Sequence, residues 1–468
     1  MNSILKKNTL FLVLCLSLYS CTKKNVQSPK SLVVSENGRF LMTGDGKPFF
    51  WLGDTGWLLF NRLTREEADR YLEDRKQQGF NVVQAMLLHD VPSRNVYLDS
   101  SVVKGNVAYP AVTEGNDPKD SLAYDYWDHV DYIIDKAAEK GIYMALVPVW
   151  GTNVKDKKVK RDQAAKYAEF LAKRYRDKWN IIWLNGGDIK GSEQMPVWKT
   201  IGETIRSNDP THLITFHPRG RTASSDWFHN SKWMDFNMVQ SGHRRYSQDT
   251  SRNEKNHFGP DNYKYIDVDY ALKPTKPTID GEPSYEDIPQ GLHDTKQPRW
   301  TAADVRRYGY WSVFAGAFGY TYGHNSVMQF FKLTDKDPAY GPKDQWFKAI
   351  NAEGATQMIH LKNLMLSRSY FDRVPDQSLI AGENGTQYNH LVATRAKDYA
   401  MIYVFNGNDI HVNMGKIEGD KVKASWFDPR TGKTTLINEV ENKGVQHFTP
   451  PGGNKDANDW VLLLDSIK

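Results

Sequence analysis

The sequence predicts an α/β protein: a (β/α)8 barrel of the TIM type followed by a small antiparallel β-sandwich. Three observations carry that prediction. Short apolar strands alternate with helical patterns from about Leu32 to Leu366, and eight of those strands can be counted. Polar residues cluster directly after the strand ends, where the loops of such a barrel build its working face. After Phe371 the helical spacing stops, and short strands alternate with turns such as Asn406-Gly407-Asn408-Asp409 and Asp428-Pro429-Arg430-Thr431-Gly432. At 468 residues the chain is long for one domain. The reading is therefore a barrel over residues 32–370 and a sandwich over 371–468. A doubly wound open sheet is the alternative, but Gly53-Asp54-Thr55-Gly56 does not match its GxGxxG phosphate loop.

The first residues are a leader. Lys6 and Lys7 precede an apolar run from Leu10 to Tyr19 that is too short to span a bilayer. It ends Leu18-Tyr19-Ser20-Cys21, which resembles a bacterial lipobox, so residues 1–21 read as a lipoprotein signal with Cys21 as the lipidated residue. An ordinary secretory signal that happens to contain Cys21 is the alternative. Residues 22–31 read as a tether. The other cysteine, Cys15, lies inside the signal, so an acylated mature chain has neither a free thiol nor a disulfide. Thr22-Lys23-Lys24-Asn25 carries no acidic run, which points to outer-membrane anchoring on the periplasmic side. The expected partners are that membrane and a saccharide, with the protein a monomer.

In chain order, Phe49–Leu52 is the first strand. Thr64 and Glu67 make a capping box for the helix that stops near Gly79. Asn81–Leu87 is the second strand. A helix with Trp127, Val130, Ile133, Ile134 and Ala137 on one face follows it and ends at Gly141. Strand Ile142–Val149, helix Ala164–Tyr175 and strand Ile181–Leu184 come next, the last broken by Asn185-Gly186-Gly187-Asp188. A helix near Trp198–Arg206, strands at Leu213–Phe216 and Phe236–Val239, and a weak helix at Tyr263–Tyr270 continue the alternation. Strand Pro277–Ile279, helix Ala302–Phe314, strand Phe318–Tyr322 and a long helix Gln345–Leu366 close it.

A formal charge of +5 without a basic stripe argues against nucleic-acid binding. The 14 Trp and 24 Tyr fit either a large core or stacking surfaces for sugar rings. The residues placed at the strand ends are Asp54, Trp57, His89, Asp90, Trp150, Asn185, Asp188, His217, Arg219, Gln240, His243, Glu282 and His324. Carboxylates, aromatics, Asn and His without cysteine are the tools of carbohydrate chemistry. Asp188 and Glu282 lie after the fourth and seventh strands, which are not neighbours, so they can face each other across a bound sugar. Hydrolysis of a glycosidic bond needs one protonated carboxyl and a second that acts as nucleophile or base. Asp188 could equally cap the next helix, Glu282 could pair with an arginine, and Asp54 could bind hydroxyls or brace its loop. The histidines scatter singly, with no HxH or HExxH pair, so no metal and no cofactor is expected.

The segments GDTGW (53–57), IIWLNGGD (181–188), FHPRG (216–220), DGEPSYE (280–286), GYTYGH (319–324) and WFDPRTG (426–432) resemble glycoside hydrolase family 140, the apiosidase-like enzymes with a C-terminal domain of a type labelled collagen-binding. That resemblance implies release of apiose from apiosyl–galacturonate linkages in the side chains of the pectin rhamnogalacturonan II. It also implies Asp188 as acid/base and Glu282 as nucleophile of an exo-acting, retaining enzyme. The competing readings are a glycosidase acting on another plant cell-wall glycan, and a non-catalytic glycan- or collagen-binding lipoprotein.

Overall fold

The computed structural model describes residues 30–251 and 255–467. The signal, the lipobox cysteine Cys21 and nearly all of the tether therefore lie outside the described residues.

Eight parallel-running strands carry the N-terminal domain: β1 Trp51–Thr55, β2 Val82–Met86, β3 Tyr143–Val147, β4 Ile181–Ile189, β5 Ile214–Pro218, β6 Asn237–Gln240, β7 Thr278–Asp280 and β8 Gly319–Tyr322. Six of them form one parallel sheet in the order β8-β1-β2-β3-β4-β5. β6 and β7 pair parallel in a second sheet, which Thr222–Ala223 extends. Hydrogen bonds join the two sheets at both seams. Asp235 N–H donates to the Ile214 carbonyl at 2.8 Å, and Phe318 N–H to the Thr278 carbonyl at 3.1 Å.

The helices between the strands are α1 Arg65–Gln77, α2 Tyr126–Glu139, α3 Arg161–Tyr175, α4 Met195–Asn208, α5 Asn262–Tyr270, α6 Ala302–Phe314 and α7 Glu353–Leu366. Thr64 and Glu67 close the expected capping box on α1. The strands are buried almost throughout, as in a sheet covered on both faces. Most tryptophans serve this packing, among them Trp51, Trp127, Trp183, Trp198 and Trp311, all fully buried.

Three elements differ from the expected ones. The first strand is interrupted: Pro48–Phe49 joins a small antiparallel sheet with Leu32–Val34 and Leu41–Thr43, and β1 begins at Trp51. The long closing helix is two helices, Trp346–Ala349 and α7, because Ala352 is extended (φ −55°, ψ 151°). Glu286 accepts from the Gly354 N–H at 3.1 Å, so a carboxylate sits on the first turn of α7. The third difference, in β4, shapes the site and is described below.

Beyond α7 the chain is antiparallel β. Val374–Pro375, Val392–Arg395, Tyr399–Val404, Trp460–Ser466, Lys421–Phe427 and Thr434–Glu441 form one sheet in that spatial order, and Ile410–Asn413 pairs with Val445–Phe448. This domain is clamped to α6. Arg306 donates to both Asp459 oxygens at 2.9 and 2.8 Å, with both side chains buried. Tyr310 stacks on Tyr403 with centroids 4.9 Å apart and planes within 10°.

Candidate active site

β4 does not stop at Leu184. Its pairing with β5 runs through Gly186↔His217, skips, and resumes at Ile189↔Pro218. The detour is a bulge with left-handed backbone: Gly186 at φ +95°, then the skipped Gly187 at +110° and Asp188 at +48°. Glycine is required for two reasons. Those φ values suit it, and a Cβ on Gly186 would lie 2.6 Å from the His217 carbonyl, one on Gly187 2.7 Å from the Trp150 ring. A bulge re-aims the side chain that follows it. Here it turns Asp188 out of the packed sheet and into an open cleft.

The cleft holds about 710 Å³, and Trp57, His89, Trp150, Asp188, Arg219, Gln240, His243 and Glu282 line it together. Glu282 stands two residues past β7. The Gly281 carbonyl beside it accepts from Gln84 of β2 at 2.9 Å. His243 Nε2 lies 3.2 Å from Glu282 Oε1, and His217 Nε2, from the end of β5, lies 3.3 Å from Oε2. Trp57 leans against Trp150 and edge-on to His217, with ring centroids 5.3 and 5.2 Å apart. The Trp57 Nε1–H donates to the Tyr285 hydroxyl at 3.0 Å, and that hydroxyl also faces Glu282.

The two carboxyls diverge in acidity. Enclosure by the cleft walls, then the negative charge of Glu282, push Asp188 up to about 6 against the opposing pull of His217, the Gly220 N–H and Gln240. Burial would raise Glu282 too, but His217 and His243 outweigh it and hold Glu282 well below the usual carboxylate range. Opposite shifts in one cleft are the mark of an acid and an anion with separate tasks.

Four of the residues expected at this site are elsewhere. Asp54 is fully buried; its oxygens accept from Arg75 at 2.7 and 3.2 Å and from the Tyr71 hydroxyl, so it braces α1 against β1. Asn185 is buried and donates to the Trp198 carbonyl at 2.8 Å, tying β4 to α4. His324 caps the short helix Asn325–Met328 by accepting from Ser326 N–H at 3.1 Å, and burial pushes its imidazole down to about 3. Asp90 is exposed and does not line the cleft. In the other direction, Tyr285 and Tyr340 line it without having been singled out as site residues, and Arg221 and Arg244 line it beside Arg219. Tyr285 lay inside the DGEPSYE segment, three residues past Glu282. Tyr340 lies in a loop with no periodicity to mark it, yet it feels the charge of both Asp188 and Glu282.

Carboxyls of divided acidity on a parallel-strand rim, beside tryptophan walls, are the equipment of a glycosidase, and the wider likeness agrees. A solved structure described as a glycoside hydrolase is 48% identical, with a TM-score of 0.89, covering 93% of this chain and 97% of its own. A glycoside hydrolase family 5 protein from Bacteroides vulgatus ATCC 8482 is 45% identical, with a TM-score of 0.89, covering 93% and 92%. The chain is a glycoside hydrolase. Residues 35–372 match the family model "Apiosidase-like, catalytic domain", and the chain belongs to that family. Residues 374–465 match "Putative collagen-binding domain of a collagenase". No curated protein matches.

Proposed function

We propose that the protein is a retaining, exo-acting glycosidase of glycoside hydrolase family 140 that releases apiose from apiosyl–galacturonate linkages of rhamnogalacturonan II. The observation that carries the mechanism is the split between the two carboxyls: Asp188, held up to about 6, keeps a proton to donate, while Glu282 stays ionised. In the first step a Glu282 oxygen bonds to the anomeric carbon as the glycosidic C–O bond breaks. The leaving oxygen keeps that electron pair and takes the Asp188 proton. In the second step Asp188, now a carboxylate, removes a proton from water. The water oxygen bonds to the anomeric carbon, the ester bond breaks and Glu282 leaves as a carboxylate. Trp57 and Trp150 offer faces for the sugar ring, and Arg219 and Arg244 line the cleft, in keeping with an anionic uronate on the leaving side.

For this reading the eight strands form a closed (β/α)8 barrel, supported by the hydrogen bonds at both seams. Cys21 carries a lipid that anchors a monomer to the periplasmic face of the outer membrane. The test is release of free apiose from a pectic side-chain oligosaccharide, read by chromatography. Asp188→Asn and Glu282→Gln each remove hydrolysis by at least about 10²–10⁴-fold while the circular dichroism stays native. Near-native turnover by either variant rejects the assignment, and release of a different sugar rejects the substrate. A β-configured first product from an α-linked substrate, or the reverse, rejects retention.

A further inference from the structure

Glu282 sits between two imidazoles that each accept a main-chain N–H. The Asp188 backbone N–H reaches His217 Nδ1 at 3.4 Å, and the Tyr285 backbone N–H reaches His243 Nδ1 at 3.4 Å. A ring nitrogen that accepts an N–H presents its lone pair and carries no proton. In both rings the proton therefore belongs on Nε2, and both rings are neutral. His243 Nε2 hydrogen-bonds Glu282 Oε1 at 3.2 Å, whereas His217 Nε2 lies 3.3 Å from Oε2 without the geometry of a hydrogen bond.

We propose that His243 and His217 are positioning residues: His243 is a neutral, tautomer-locked N–H donor that keeps Glu282 ionised, and His217 packs between Glu282 and the main chain of Asp188 and holds the two in register. The proposal rests on the reading of Asp188 and Glu282 as acid/base and nucleophile. Its physical content is a choice of donor. A buried carboxylate needs partners to stay charged. An arginine or lysine would supply them, but would also set a positive field beside the anomeric carbon, where positive charge builds in the transition state. A neutral N–H group from His243 holds the anion and leaves its charge facing that carbon. The groups turned towards Glu282 come from five elements: Asp188 on β4, His217 on β5, His243 after β6, Tyr285 after β7 and Tyr340 in the loop after β8.

The His217 contact has a second effect. Asp188 adopts a left-handed backbone that a non-glycine residue enters only at some cost. Its N–H bonds the same imidazole whose far nitrogen meets Glu282. One ring thus spans from the main chain of the acid to the side chain of the nucleophile.

The test begins with the unaltered full chain. Long-range proton–nitrogen spectra of 15N-histidine-labelled protein at neutral pH should show both rings neutral and protonated at Nε2. A proton on Nδ1, or a doubly protonated ring at either position, overturns the proposal whatever the variants do. His243→Ala should move the acid limb of kcat/KM upward by about one pH unit, a tenfold change in the proton equilibrium of Glu282. His243→Gln, which restores an N–H donor, should bring the limb back. A uniform fall in kcat/KM with the limb unmoved would mean a merely structural role and overturns the proposal. Failure of the underlying reading looks different: Glu282→Gln would then retain turnover. If the alanine variant does not fold, the spectra of the unaltered protein decide.

Discussion

Asp188 and Glu282 leave the ribosome with nearly the same intrinsic acidity, and their surroundings separate them. Asp188 has the cleft walls and a neighbouring anion, which favour its protonated form. Glu282 has two imidazoles, which favour its charge. The sign for activity follows. If Asp188 is the acid, as proposed, kcat/KM should fall as pH rises through about 6, by tenfold per unit above it. A stopped assay across pH 4–8 measures that limb, and a plateau extending past pH 8 would contradict the assignment of Asp188 as the acid. At this scale sequence reading did well for residues that end in the cleft and poorly for those whose role depends on a partner. Asp54 looks like a ligand residue in GDTGW, but Arg75, twenty-one positions later, turns it into a brace. Nothing local to either residue announces that pair. His217 and His243 were expected to bind substrate, and their nitrogens also meet Glu282 and main-chain N–H groups.

At the scale of elements, the working part is the bulge in β4. Two consecutive glycines let the strand pass close to the His217 carbonyl and the Trp150 ring and still return to pairing at Ile189. Asp188 is displaced out of the ladder by that detour. Gly187→Ala forces a methyl group to 2.7 Å from Trp150 in a backbone conformation that alanine resists. We expect kcat to fall about 10²-fold, the order that an ångström of misplacement costs, with a loss of stability of about 1–3 kcal/mol. Wild-type kcat in this variant would show that the bulge does not position the acid. The stretch Asn185–Asp188 reads locally as a turn because glycine and polar residues usually end strands. It remains strand because β5 supplies a parallel partner on the far side of the detour, and a partner strand is not visible in a local window.

At the scale of the whole molecule, the C-terminal β domain is part of the architecture that holds the site. α6 meets it through the buried Arg306–Asp459 pair and the Tyr310–Tyr403 stack. Arg373, at the domain junction, donates to the Val313 and Ala317 carbonyls at the end of α6. Tyr388 of the β domain packs edge-on against Tyr246, 5.5 Å away, in the loop that carries His243 and Arg244. Removing one member of a buried ion pair leaves the other charge unpaired, at a cost of about 3–5 kcal/mol. Arg306→Ala should therefore lower the denaturation midpoint markedly, and calorimetry of the unaltered chain should show both domains melting in one transition. Two well-separated transitions would mean that the β domain is an independent module.

From its own order of residues the chain determined which segments are strands and helices, the change of architecture near Phe371, and the acidic side chains after the fourth and seventh strands. Those properties reside in local spacing: a period of two or of 3.6, a cap, a turn. Only the tertiary structure decided which polar residues share the cleft, which groups His217 and His243 meet, and in which direction the acidity of each carboxyl is pushed. These depend on neighbours brought together from distant positions, where burial and charge act over a few ångströms of space rather than along the sequence.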